Sequence, residues 1–191
     1  MTGGRILKNP VIPNGVLGML IIITTEIMFF GGLISGYIVN RAENPSWQTL
    51  LQPSLPLAET ALNSLFLIIS AVTYVLTIRE AGKGQKNRAL LWLTATAVLG
   101  EVFVLLQGRE WVALITNGMT ASSSLYGAFF YTIIGTHAFH VIVGILMLIF
   151  LMFKIDRAKN LARLETPVTI AFYWMFVVWV WPILYYLVYM F

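Results

Sequence analysis

Five long apolar runs, separated by short stretches that hold most of the charge, restrict this chain to a bundle of helices in a bilayer. A membrane core about 30 Å thick needs about 20 apolar residues per helix. The runs meet that length, from about Asn14 to Val39, Ala58 to Ile78, Ala89 to Gln107, Ser124 to Phe153 and Thr166 to Met190. Pro13 suits the start of the first helix, because its fixed φ fits a first turn and its missing N–H is not needed there. The fourth run would span about 45 Å at 1.5 Å per residue, so it must tilt or project. Pro residues and Ser/Thr/Glu/Asn clusters punctuate the runs. The expected fold is all-α, a polytopic bundle of five transmembrane helices forming one membrane domain over residues 1–191.

Composition agrees. Hydrophobic residues make up 59% of the chain and charged residues 10%, against roughly 45–50% and about 25% in soluble domains. A soluble domain of 191 residues must cover its outside with charge, and this one cannot. The net charge of +4 does not point to nucleic acid, since the cations lie in short segments between apolar runs rather than on a basic face. With no cysteine, disulfides, thiolate metal sites and iron–sulfur clusters are excluded.

Charge also predicts orientation. With the N-terminus in the cytoplasm, the inner segments hold Arg5, Lys8, Arg79, Lys83, Lys86, Arg88, Lys154, Arg157, Lys159 and Arg163, and the outer loops only Arg41 and Arg109. Cytoplasmic loops carry such an excess of Lys and Arg, so the C-terminus is expected outside. The first run is too long for a signal h-region and no small-residue cleavage site follows it, so it reads as a retained helix. No transit-peptide pattern is visible, which favours a bacterial or archaeal plasma membrane over import into an organelle, and the bacterial plasma membrane is the expected location. Trp47 and Trp111 in the outer loops, and Trp179, Trp181, Tyr185, Tyr186 and Tyr189 on the last helix, are expected at the outer interface, where amphipathic rings are favoured.

Four ionisable side chains fall inside the spans: Glu26, Glu101, His137 and His140. A charge at a helix centre costs about 2.5–3.5 kcal/mol on insertion scales, so each is expected to face protein. Glu26 reads as a proton-relay or lipid-headgroup-sensing group, or as a neutral carboxyl bonded to a neighbouring helix. Glu101 has the same two readings and is expected to face Glu26 or a histidine. Glu59 reads as an interfacial cap. His137 and His140, three apart, project to one side of their helix. As metal ligands they fail on counting. A bis-His haem within the chain needs a second histidine helix, structural zinc needs four ligands, and a di-iron site needs further Glu-x-x-His helices. Two interhelical hydrogen-bonding histidines are the alternative. Gly32 with Gly36, Gly31 with Ser35, and Gly127, Gly135 and Gly144 read as small residues that let helices approach closely.

Several motifs are more specific. EIMFFGG (Glu26 to Gly32), LLQGREW (Leu105 to Trp111), SLYGAFFY (Ser124 to Tyr131), THAFHVIVG (Thr136 to Gly144), LPLAET (Leu55 to Thr60) and YWMFVVWVW (Tyr173 to Trp181) all resemble segments of subunit III of the haem–copper oxidases. They cover nearly the whole chain in the family's order, and the chain resembles the five-helix form of that family.

The resemblance implies a non-redox accessory subunit. Such a subunit packs against the catalytic subunit I, with subunit II in the same complex or in a larger respiratory supercomplex. It implies haem and copper on the partner subunits and none here, bound phospholipid, and support for assembly and for proton uptake during oxygen reduction. Glu26, His137, His140 and Glu110 match the family's motif residues. The pattern departs at Met175, where the family has His, at Val178, where it has Asp, at Glu59, where Asn is common, and at Glu101. Those departures leave a subunit III-like partner of a nitric oxide reductase as the alternative. A small proton-coupled carrier using Glu26 and Glu101, or a haem-bearing cytochrome, would need broken inverted repeats or a second histidine helix, and neither pattern is present.

Overall fold

The computed structural model describes residues 13–44 and 57–190. Arg5, Lys8, Pro45, Trp47, Pro53, Leu55 and Pro56 lie outside the described residues. Five helices are long and apolar enough to cross a membrane: α1 (Asn14–Glu43), α2 (Leu57–Gly82), α3 (Lys86–Thr116), α4 (Leu125–Arg157) and α5 (Thr166–Tyr185), the last continued by a π-turn at Tyr186–Met190. No strand occurs among the described residues.

The turns follow local chemistry. α2 and α3 form a hairpin through Gly84, whose φ of 73° lies in the left-handed region open to glycine. There Gly84 N–H donates to Ala81 and Gln85 N–H to Glu80, satisfying carbonyls left at the end of α2. Gly118, at φ 89°, ends α3 in the same way. Ser124 caps α4, its hydroxyl accepting from Gly127 N–H at 2.9 Å.

The helices α2, α3 and α4 pack as sequential neighbours, and α5 returns against α2 and α4. α1 lies outside this group, touching α5 and α4. It buries only Val16, Met19, Phe30 and Tyr37. Inside a bilayer there is little hydrophobic drive between helices, so packing and interhelical hydrogen bonds hold the bundle. Trp174 on α5 does both. Its indole N–H donates to Ser70 Oγ on α2 at 3.2 Å. Its ring lies where a Cβ on Gly144 of α4 or on Gly100 of α3 would stand, 2.8 Å away in each case. One ring therefore joins four helices. One helical turn pair further along α5, the Trp181 N–H donates to Ser64 Oγ of α2 at 2.7 Å. Thr73 and Thr96 link α2 to α3 at 2.8 Å.

Several expectations are corrected. α3 runs to Thr116 rather than stopping near Gln107. The polar stretch Gln107–Arg109–Glu110 resembles a loop, yet Gln107, Glu110 and Leu114 keep the helical period and stay buried. Arg109 and Trp111 are thus on a helix, and Trp111 is half-buried with an edge contact to Tyr131. Gly32 and Gly31 face open space, so neither brings helices together among the described residues. Gly36 meets only the edge of Phe129, at 3.5 Å. The close approach at Gly144 is to an indole ring rather than to a backbone. The aromatic belt of α5 is split. Trp179 and Tyr186 are exposed, whereas Trp181 and Tyr189 are buried. Pro182 accounts for part of this. It cannot donate to the carbonyl four residues back, and the helix widens into the π-turn just beyond it. That turn carries Tyr189 inward.

Candidate functional site

The polar groups of the interior gather in two places. The first is near the middle of the bundle. Glu26, twelve residues into α1, meets His140, fifteen residues into α4, with Oε2 and Nε2 2.9 Å apart. The other ring nitrogen, Nδ1, lies 2.7 Å from the carbonyl oxygen of Thr136. A carbonyl only accepts, so Nδ1 carries a hydrogen. One further proton then occupies the Nε2–Oε2 contact. Whether the imidazole or the carboxyl holds it, the pair sums to zero charge. A matched pair is the form in which a mid-membrane carboxyl is tolerated. The Tyr173 hydroxyl donates to the His140 carbonyl at 3.3 Å and closes the cluster from α5.

His137, one turn earlier, is used differently. It is fully buried and stacks on Trp181 with ring centres 5.0 Å apart. Phe30 and Phe103 meet it edge-on. Neither of its nitrogens has a hydrogen-bond partner among the described residues. The expectation of two hydrogen-bonding histidines therefore describes His140 and not His137. The reason is position. His140 points to the α1 side and finds a carboxyl, whereas His137 points into the aromatic layer of α3 and α5.

The second cluster lies at the end where α2 begins and α3 finishes. Glu110 is buried, and its Oε2 accepts from Thr60 Oγ1 at 2.8 Å. Gln107 Nε2 donates to the Tyr189 hydroxyl at 3.0 Å. Asn63 donates to the Phe103 carbonyl at 3.3 Å and to Gln107 Oε1 at 3.4 Å. A cavity of about 430 Å³ opens beside them, lined by Glu59, Asn63, Arg109, Glu110 and Asn117 among others. Asn63 carries no motif that marks it in the sequence, Thr60 is only the last residue of LPLAET, and Tyr189 is marked only as an interfacial aromatic. Their signal is the polar content of α2, whose Thr60, Asn63 and Ser64 share one face.

Glu101 is in neither cluster. It sits at mid-length on α3 and is exposed, with no hydrogen bond or ion pair among the described residues. The expectation that it faces Glu26 or a histidine is wrong. Glu26 is turned to α4, and the buried face of α3 is formed by residues such as Ala97, Gly100 and Phe103. An apolar groove of about 410 Å³ runs between α1 and α5, lined by Ile27, Phe30, Ile34, Phe176, Trp179 and Ile183 among others. Among the described residues, no three His, Cys, Asp or Glu side chains converge as a metal ligand set.

The chain is similar throughout to one group of proteins. The family profile described as "Cytochrome c oxidase subunit III" matches residues 7–191. A probable cytochrome c oxidase subunit 3 of Mycobacterium leprae is 34% identical over 184 residues, covering 93% of this chain and 88% of the relative. One from Nocardia farcinica is 35% identical, covering 88% of this chain and 84% of the relative. The cytochrome bo(3) ubiquinol oxidase subunit 3 of Pseudomonas aeruginosa is 30% identical, covering 93% and 85%. With five spanning helices in place and the match running nearly end to end, this chain belongs to the cytochrome c oxidase subunit III family.

Proposed function

We infer that this chain is the accessory subunit III of a haem–copper terminal oxidase, a multi-pass protein that carries no redox centre and serves a neighbour that does. The observation that carries the reading is coverage, since the family profile spans residues 7–191 and not one shared helix. Both histidines support it, because His140 is engaged by Glu26 and His137 is enclosed by rings. Relatives named for cytochrome c oxidases and for a ubiquinol oxidase resemble the chain alike. That similarity supports placing the electron-donor site on other subunits. In this reading the partners are subunits I and II, which hold haem and copper, and the membrane is the bacterial plasma membrane.

Arg79, Lys83, Lys86, Arg88, Arg157 and Arg163 lie toward one end of the bundle, where α2 ends and α4 finishes, and we place that end in the cytoplasm. The groove between α1 and α5 has the apolar lining that suits a phospholipid acyl chain.

The test is to purify the tagged chain from its native membrane in mild detergent, with mass spectrometry and a reduced-minus-oxidised spectrum. Haem bands and two larger oxidase subunits are the expected companions. A free monomer with no haem-bearing companion refutes the reading.

A further inference from the structure

Two carboxyls stand at mid-depth, and the described residues provide a partner for only one. Glu26 has His140 at 2.9 Å. Glu101 is fifteen residues from either end of α3, or about 22 Å. The apolar core is only about 30 Å thick, so from its middle the surfaces are about 15 Å away, still well beyond a side chain shorter than one 5.4 Å turn. It is exposed on the outside of the bundle, where lipid would surround it if nothing else did. Lipid headgroups, lying at the surfaces, do not reach that depth.

The residues around it have an order. Leu91, Thr94, Val98, Glu101, Leu105 and Val112 are all exposed. Their spacing is three, four, three, four, with Gly108 completing the last repeat. A 3–4 alternation is the seam by which one helix packs along another at a shallow angle. Gly108 has open space where a Cβ would stand, so a second backbone can approach there. Between Ala61 and Val75 the outward residues of α2, such as Leu65, Ile69 and Val72, are all apolar and suit lipid.

We propose that this face of α3 is a docking seam for a transmembrane helix of the partner complex that presents a basic side chain, Lys, Arg or His, opposite Glu101. The proposal deepens the accessory-subunit reading by naming the surface and the recognising chemistry. A second copy of this chain does not fit. Two copies share one orientation in the membrane, so a symmetric α3–α3 contact would set Glu101 against Glu101. A basic partner satisfies the carboxyl, and the apolar and small residues on either side fix the register.

The experiment uses the complex in native membranes. A photo-reactive phenylalanine analogue is placed at Leu91, Val98 or Leu105, and at Val72 and Met28 as lipid-facing controls. After illumination the complex is purified and the adducts are identified. Protein adducts from the three α3 positions and lipid adducts from the controls are expected. Glu101→Gln should lower the partner retained per chain roughly tenfold or more in mild detergent, as expected for loss of a charged hydrogen bond. Glu101 is exposed and has no hydrogen bond or ion pair among the described residues, so the variant is expected to fold as the parent does.

If haem-bearing partners co-purify while α3 yields only lipid adducts, the seam is wrong and the accessory-subunit reading stands. Adducts to a second copy of the chain also overturn the seam, as does full retention in Glu101→Gln. If no haem-bearing partner co-purifies, the accessory-subunit reading fails. The α3 adducts then decide the seam alone, with a non-haem membrane polypeptide supporting it and lipid overturning it.

Discussion

Gly144→Ala tests whether the wedged indole organises the bundle. The added methyl would stand 2.8 and 2.9 Å from two ring atoms of Trp174. The ring cannot retreat, because its far edge already occupies the space over Gly100. Overpacking of this kind costs about 1–3 kcal/mol. Displacing the ring also strains the bond to Ser70, and interhelical hydrogen bonds in membranes are worth about 0.6 kcal/mol on average and up to about 1.7. Against this, Ala is favoured over Gly in a helix by about 1 kcal/mol. The balance is a net loss of about 1–3 kcal/mol.

Unfolding of the purified complex by denaturing detergent in mixed micelles, followed by tryptophan fluorescence, measures the loss. Gly32→Ala is the internal control. Nothing lies within 4 Å of a Cβ there, so that variant should be neutral or slightly stabilised. Trp174→Phe in the Gly144→Ala background should recover part of the loss, a coupling within the range of about 0.5–3 kcal/mol seen for residues in contact. If Gly144→Ala unfolds with or after the parent chain, the indole is not trapped and the packing argument fails.

Glu26→Gln should leave assembly intact, because the amide N–H can donate to His140 Nε2 as the shared proton does; loss of the complex on a native gel would show that the pair must be charged. Glu26→Ala should cost about 1–3 kcal/mol, since it leaves the buried His140 nitrogen without its partner; detergent unfolding equal to the parent would contradict this. Ser64→Ala removes the acceptor of the Trp181 N–H and should destabilise by roughly 0.6–1.7 kcal/mol in the same assay. Asp156→Asn breaks the ion pair with Lys86 at 2.9 Å, but both side chains are well exposed, so the change should stay below about 1 kcal/mol and vanish in high salt.

The spans were legible because hydropathy over about 20 residues is a property of the chain itself. The end of α3 was not, because Gln107 and Glu110 look like loop residues until α2 supplies Thr60 and Asn63 to meet them. Glu26 and His140 could each be singled out, yet their pairing joins residues 114 positions apart and no local spacing encodes it. His137 and His140 share a helix and nearly a face, but a difference of one turn sends one to a carboxyl and the other to an indole. Gly32 and Gly144 are equivalent in a sequence pattern and opposite in the bundle, since only Gly144 meets a large ring. A matching signal was present in Ser64 and Ser70 of α2, spaced six apart, beside Trp181 and Trp174 of α5, spaced seven apart.

The distance between Glu26 and its partner along the chain has a bearing on biogenesis. α1 leaves the ribosome before α4, and 114 residues separate Glu26 from His140. At ordinary synthesis rates that interval is on the order of ten seconds. Throughout it α1 has a lone carboxyl at its centre, and it buries only Val16, Met19, Phe30 and Tyr37 even in the finished bundle. α1 therefore either waits in a sheltered position at the insertion machinery or crosses with its carboxyl protonated; its partner comes with α4, and its main packing surface only with α5.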